Sequence, residues 1–271
     1  MPVRRLPAAA VRCAALAALL VLGACASPSK DGGTPLQPEP QPAAKAQEVS
    51  PQNRSELHAE LGAGYYERGQ MDVAIEELNN ALKLDPNNAK AYNTFGLVYA
   101  VLGESAKAEQ SFQRALTLAP QDAEIRQNWG FYLCTHGRAK ESIPEFEQAA
   151  RNPLYKTPEI PLLNAGRCSV SIGDTAQAEA YFKRALAAAP GYEGAAFGIA
   201  QIAYKSGRYD EARRWMRQIR PTNLPPDALY LGMCIEKKLG DRQAEASYVA
   251  QLRNRYPEST ETLALAAGIC E

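Results

Sequence analysis

From Ser55 onward the chain repeats itself with a period near 34 residues. Gly62, Gly96, Gly130, Gly166 and Gly232 recur near the middle of one helical stretch of each unit. Ala74, Ala108, Ala178, Ala212 and Ala244 mark a second stretch. A large residue follows each of them four positions later: Leu78, Phe112, Phe182, Met216 and Tyr248. Asp85-Pro86, Ala119-Pro120 and Ala189-Pro190 each close a unit, because proline cannot continue a helix. A period of this length predicts units that stack, each touching mainly its neighbours. It overrides the expectation from length alone, which for 271 residues is about two domains at roughly 150 residues each.

This spacing resembles the tetratricopeptide repeat. The likeness is fullest in Ala89–Asp122, through Tyr92, Gly96, Tyr99, Ala108, Phe112, Ala115 and Pro120. Six units follow: 55–88, 89–122, 123–158, 159–192, 193–224 and 225–258. The third has two extra residues around Asn152–Pro158, and the fifth has Ala200 where glycine is expected. Residues 259–271 read as a capping helix. The resemblance implies an all-α, right-handed superhelical solenoid of antiparallel helix pairs, A and B. The small residues let A and B approach, and the large one fills the gap toward the next unit. The A helices line a concave groove.

Residues 1–30 hold Arg4, Arg5, Arg12 and Lys30 and no acid. The apolar run Cys13–Gly23 is too short to cross a bilayer, which takes about 20 residues. A basic start, a short apolar core and small residues give the order of a secretory signal. Leu22-Gly23-Ala24-Cys25 resembles the bacterial lipobox, which implies cleavage after residue 24 and acylation of Cys25. The plainer alternative is an ordinary signal cut at Ala24 or Ala26. Whole-chain charge is balanced, Lys+Arg 30 against Asp+Glu 30; without residues 1–24 it becomes 27 against 30. A chain without basic excess is not a nucleic-acid binder. Residues 25–54 include Pro28, Pro35, Pro38, Pro40, Pro42 and Pro51 and no aromatic residue, and read as a tether. In lipoprotein sorting, alanine rather than aspartate after the acylated cysteine implies the outer membrane. The expected location is therefore its periplasmic face, lipid-anchored.

No catalytic constellation stands out, so no enzyme activity, cofactor, metal or small-molecule substrate is expected. His58 and His136 fall on different repeats without a third ligand, and His58 sits in a consensus aromatic slot, which favours packing. Glu76-Glu77 reads as solvated charge. Four cysteines remain after Cys13 and Cys25, an even number in an oxidising compartment. Cys134 and Cys168 lie late in neighbouring A helices; Cys234 and Cys270 have the same kind of relation. Each pair is expected to bridge, the alternative being buried free thiols. The predicted groove comprises Ala59, Ala63, Tyr66, Asn93, Leu97, Ala100, Gln127, Phe131, Leu163 and Val170. This lining is apolar enough to suggest a partner peptide or amphipathic helix.

Leu61-Gly-Ala-Gly-Tyr-Tyr66, Asn128-Trp-Gly-Phe-Tyr-Leu133 and Arg151-Asn-Pro-Leu-Tyr155, with the lipobox and tether, resemble the PilF/PilW family of type IV pilus biogenesis lipoproteins. The resemblance implies an outer-membrane pilotin that binds the pilus secretin and promotes its localisation and multimerisation. A different class of scaffold is the competing reading: an adaptor for peptidoglycan hydrolases or for outer-membrane protein assembly.

Overall fold

The computed structural model describes residues 50–270 apart from 221, 223, 268 and 269. The signal, Cys25 and nearly all of the tether lie outside the described residues. Thirteen α-helices and no strand occur among those described. They are α1 (Pro51–Glu67), α2 (Met71–Leu84), α3 (Ala89–Val101), α4 (Ser105–Leu118), α5 (Ala123–Thr135), α6 (Ala139–Arg151), α7 (Glu159–Ser171), α8 (Thr175–Ala188), α9 (Glu193–Lys205), α10 (Tyr209–Met216), α11 (Pro226–Leu239), α12 (Arg242–Arg255) and α13 (Thr260–Ala267). The first twelve form six antiparallel pairs, and the chain is a tetratricopeptide solenoid.

The turns explain where helices stop. Asp85, Ala119 and Ala189 precede proline and adopt φ −139°, −134° and −133°, away from helical values. Proline disfavours the helical region for the residue before it. Between A and B helices, Gly69, Gly103, Gly137, Gly173, Gly207 and Gly240 carry φ between 74° and 79°, which glycine adopts without steric cost. The first helix starts four residues before the expected boundary at Ser55. Ser50 caps it by accepting from the amide of Asn53, and Pro51 fills the first turn, where no N–H partner is needed.

In units 2, 3, 4 and 6 the A helix meets its B helix through a glycine-to-ring contact, and in unit 1 Gly62 meets Leu78 in the same way. A Cβ placed on Gly96 would lie 2.7 Å from Phe112; on Gly130, 3.0 Å from Phe146; on Gly232, 2.6 Å from Tyr248. The large B-helix residue thus packs first on the glycine of its own unit, and only then toward the next. Phe112 does both, with Trp129 and Tyr132 of the following A helix at 5.6 and 5.5 Å. Phe112, Phe146 and Phe182 are essentially inaccessible. The third unit keeps the pattern through Ser142 and Phe146, both buried, although Pro144 interrupts the sequence of α6.

Consecutive A helices touch one another from α1 to α11, whereas no two B helices make comparable contact. The A helices therefore form the inner wall, and the B helices fan out behind it. The α13 helix packs on α11 and α12, in the place a seventh A helix would take. Two polar details differ from expectation. His58 Nδ1 lies 2.6 Å from Glu77 Oε2, so this histidine ties α1 to α2 through a polar bond rather than apolar packing, and Glu77 is not a free solvated charge. His136 closes α5, stacked on Tyr132 at 4.0 Å.

Candidate functional site

The inner wall has a floor and two tracks. The floor consists of the side chains that point between adjacent A helices. Ala59, Asn93 and Leu163 lie there with 2%, 5% and 6% exposure. Ala59 and Leu163 were expected to line the groove. Leu163 is a packing residue instead, because neighbouring A helices approach closely there, while Ala59, nearly buried, still lines a cavity beside Ala63 and Asn93.

Along the N-terminal half of the A helices runs a chain of amides. Asn128 donates to Asn93 at 3.4 Å, Gln127 to Asn128 at 3.0 Å, and Asn164 to Gln127 at 3.1 Å. Four side chains on α3, α5 and α7 are linked in this way. Each amide has two donor hydrogens and two acceptor sites, so the links leave hydrogen-bonding capacity in the chain. Asn93 is buried and fully partnered, while Gln127, Asn128 and Asn164 are half-buried along the wall. Beside this track, Ala63, Asn93 and Thr94 help line a cavity of about 240 Å³, rimmed by Glu60, Lys90 and Glu124.

The C-terminal half of the same helices is apolar. Phe131 is 50% exposed and Val170 is 38% exposed. Tyr66 is half-buried against the first core, and burial, then the Glu67 carboxylate, raises its hydroxyl pKa. Leu97 and Ala100 are half-buried against Phe112, Trp129 and Leu133. Val101, 59% exposed, and Leu102 belong to the same stretch and were missed. They fall at the last turn of α3, and the repeat register, extended by one position, points to them. The groove is therefore mixed, an amide track beside an apolar one, and not the mainly apolar lining expected from the sequence.

Cys134 is bonded to Cys168, with Cα atoms 5.9 Å apart, and Cys234 to Cys270 at 5.5 Å. The first bond joins α5 to α7 beside Phe131 and Val170. The second joins α11 to the chain end just after α13. Behind the wall, two arginines join successive units, Arg138 to Glu109 and Arg208 to Glu179, and each also pairs within its own unit, with Glu141 and Glu211; Arg126 pairs with Glu145 inside the third unit. The Lys183 and Arg208 cations hold the Glu179 carboxyl below the usual range, against the effect of burial. Among the described residues no three His, Cys, Asp or Glu side chains cluster as metal ligands. No described helix is long and apolar enough to cross a membrane.

The tetratricopeptide-repeat family matches residues 62–103, 89–122, 132–193 and 171–233. The type IV pilus assembly protein PilF of Pseudomonas aeruginosa is 27% identical over 207 residues, covering 76% of this chain and 82% of that protein. Its crystal structure superposes with a TM-score of 0.73 over 81% of this chain and 99% of that one. The crystal structure of PilW, described as a widely conserved type IV pilus biogenesis factor, is 35% identical with a TM-score of 0.71. It covers 78% of this chain and 98% of its own. The helix pairs, the glycine-to-ring contacts and these likenesses agree, and the chain belongs to the PilF/PilW family of tetratricopeptide-repeat proteins of type IV pilus biogenesis.

Proposed function

We propose that this protein is a pilotin: a lipoprotein, acylated at Cys25, that binds the type IV pilus secretin and carries it to the outer membrane, where the secretin multimerises. The observation that carries the binding role is the exposed apolar row Val101, Phe131 and Val170, on A helices that also carry the linked amides Asn93, Gln127, Asn128 and Asn164. Apolar side chains left in water on a folded protein mark a partner site. The amides add direction, since they hydrogen-bond a partner's polar groups while the row takes its apolar ones. The signal-like head and the Ala after Cys25 support the membrane assignment.

The test replaces Phe131 with Glu, a change at an exposed position that costs the fold less than about 0.5 kcal/mol. The expected result is loss of denaturant-resistant secretin multimers from outer-membrane fractions, with the variant itself present at normal level. Undiminished multimers would refute secretin binding by this wall. Separately, Cys25→Ser should remove the protein from the outer-membrane fraction.

A further inference from the structure

The inner wall does not end at Val170. A cavity of about 240 Å³ runs from Arg167 and Val170 past Phe197 to Gln201 and Asp227. Those last two residues also line a larger cavity of about 380 Å³ between α9, α11 and α13. Shared lining thus carries the wall on from Val170 to the chain end, through Gln201 and Asp227, and α13 lines the last cavity with Thr260, Glu261 and Ala264.

The far cavity is built by defined bonds. Tyr204, Tyr230 and Leu231 form one side, and Ala264 of α13 faces them. The Tyr204 hydroxyl donates to the carbonyl of Cys270 at 3.0 Å, and the Cys234–Cys270 bond fastens the same end covalently. Cys234 itself lines the cavity. Its size is at the small end of ligand pockets, enough for one large side chain and not for an extended molecule. Its lining carries two carboxylates, Asp227 and Glu261, against one cation, Lys205.

We infer that the C-terminal cavity is a terminal docking pocket for the same partner segment that occupies the groove. It takes one aromatic-sized apolar side chain, from a stretch carrying net positive charge. This rests on the groove reading above. With A helices packed about 8–10 Å apart, the span from α5 to α13 is on the order of 40 Å. An extended segment of about twelve residues covers it, at roughly 3.3 Å each. The pocket sets the register of that segment, because it closes the wall at one end.

The experiment uses the full chain with Ala264→Trp, which fills the pocket from α13, and Phe131→Glu. Two readouts are taken: binding of the neutral fluorescent probe N-phenyl-1-naphthylamine, and affinity for detergent-solubilised secretin. Wild type should show a saturable probe site that Ala264→Trp weakens at least tenfold and Phe131→Glu leaves in place. Secretin affinity should fall about tenfold in Ala264→Trp and vanish in Phe131→Glu. Circular dichroism and the urea midpoint check that both variants fold. If Ala264→Trp loses the probe but binds secretin like wild type, the docking pocket is refuted while the groove reading survives. Secretin binding retained by Phe131→Glu sinks the groove reading instead. Probe binding unchanged in a folded Ala264→Trp overturns the pocket outright.

Discussion

Repeats 1 to 4 and the region from repeat 5 to the chain end solve the same packing problem differently. In the first four, B helices of 13 or 14 residues each set one large side chain on a glycine of the partner A helix. Their cores are separate clusters, one per neighbouring pair or so. In repeat 5 the B helix α10 has only 8 residues, Ala200 replaces the glycine and Met216 replaces the ring. There the core fuses: Ala200, Met216, Leu229, Ile235 and Leu252 form one cluster reaching Leu265 and Cys270. The difference teaches that a solenoid can be modular where it presents a wall and consolidated where it must end. A terminal unit has no neighbour to cover it, so a fused core, a part-buried Arg213–Glu236 pair and a covalent bond take that role.

The sharpest way to break this contrast is Phe182→Ala against Met216→Ala. Phe182 is 2% exposed and lies between two glycines of consecutive units. A Cβ on Gly166 or Gly198 would come within 2.4 or 2.5 Å of it. Its space is shaped by rigid backbone on both sides and cannot collapse, so the loss should be about 4–5 kcal/mol in urea unfolding. Methionine is flexible and its surroundings adapt, so Met216→Ala should cost about 2–3 kcal/mol. Equal losses would show that the aromatic contact is not what distinguishes the modular half.

The disulfides sharpen it next. They close sequence separations of 34 and 36 residues, so loop entropy alone assigns each about 4 kcal/mol. Any measured difference therefore reports what the folded state does with the bond. Cys134→Ser/Cys168→Ser should lower the urea midpoint of the whole array, because the bond spans two stacked units. Cys234→Ser/Cys270→Ser should lower it less, while amide exchange in α13 rises toward that of an unprotected chain. A global drop of equal size in both would mean α13 is integral to the fused core rather than fastened onto it.

Much of this architecture was readable from residue types at fixed spacing. The glycines, the prolines that close three of the units and the four cysteines are positions where one chemistry is needed, and the glycines and prolines fall at matching places along the repeat. The groove was read less well, for a physical reason. Ala59, Asn93 and Leu163 share a repeat position, yet its side chains point between A helices, and their exposure depends on how closely those helices pack. The amide chain was not visible because it joins residues 35 and 37 apart, whose meeting depends on the stacking of units. The same holds for Ser55, fully buried, whose hydroxyl donates to the Ala81 carbonyl and accepts from Asn88, the residue that caps α3 at the start of the next unit. Ser55→Ala should cost about 1–3 kcal/mol by leaving the Asn88 donor buried without its acceptor. Asn88→Ala combined with it should recover part of the loss, and a strictly additive double variant would contradict the bridge.

The smallest expected effect concerns a polar link between repeats 3 and 4, in the modular half. Tyr181 on α8 is 2% exposed and donates to Glu147 on α6 at 2.9 Å. Burial, and then the bond to Glu147, push its hydroxyl up to about 12 from 10.0. The raised value fixes the sign. Between pH 10 and 12 the unfolded chain releases the phenolic proton while the folded one keeps it, so stability is complete below 10 and declines as pH rises through that window. Tyr181→Phe should lose about 1 kcal/mol at pH 7, since Glu147 still holds Arg151 and Arg184. It should also show a shallower decline than wild type between pH 10 and 12. Urea midpoints at neutral and alkaline pH decide it. An unchanged alkaline slope in Tyr181→Phe would mean that the link between repeats 3 and 4 does not depend on this proton. The modular half would then be held by its glycine-to-ring contacts and the Cys134–Cys168 bond, without help from this tyrosine.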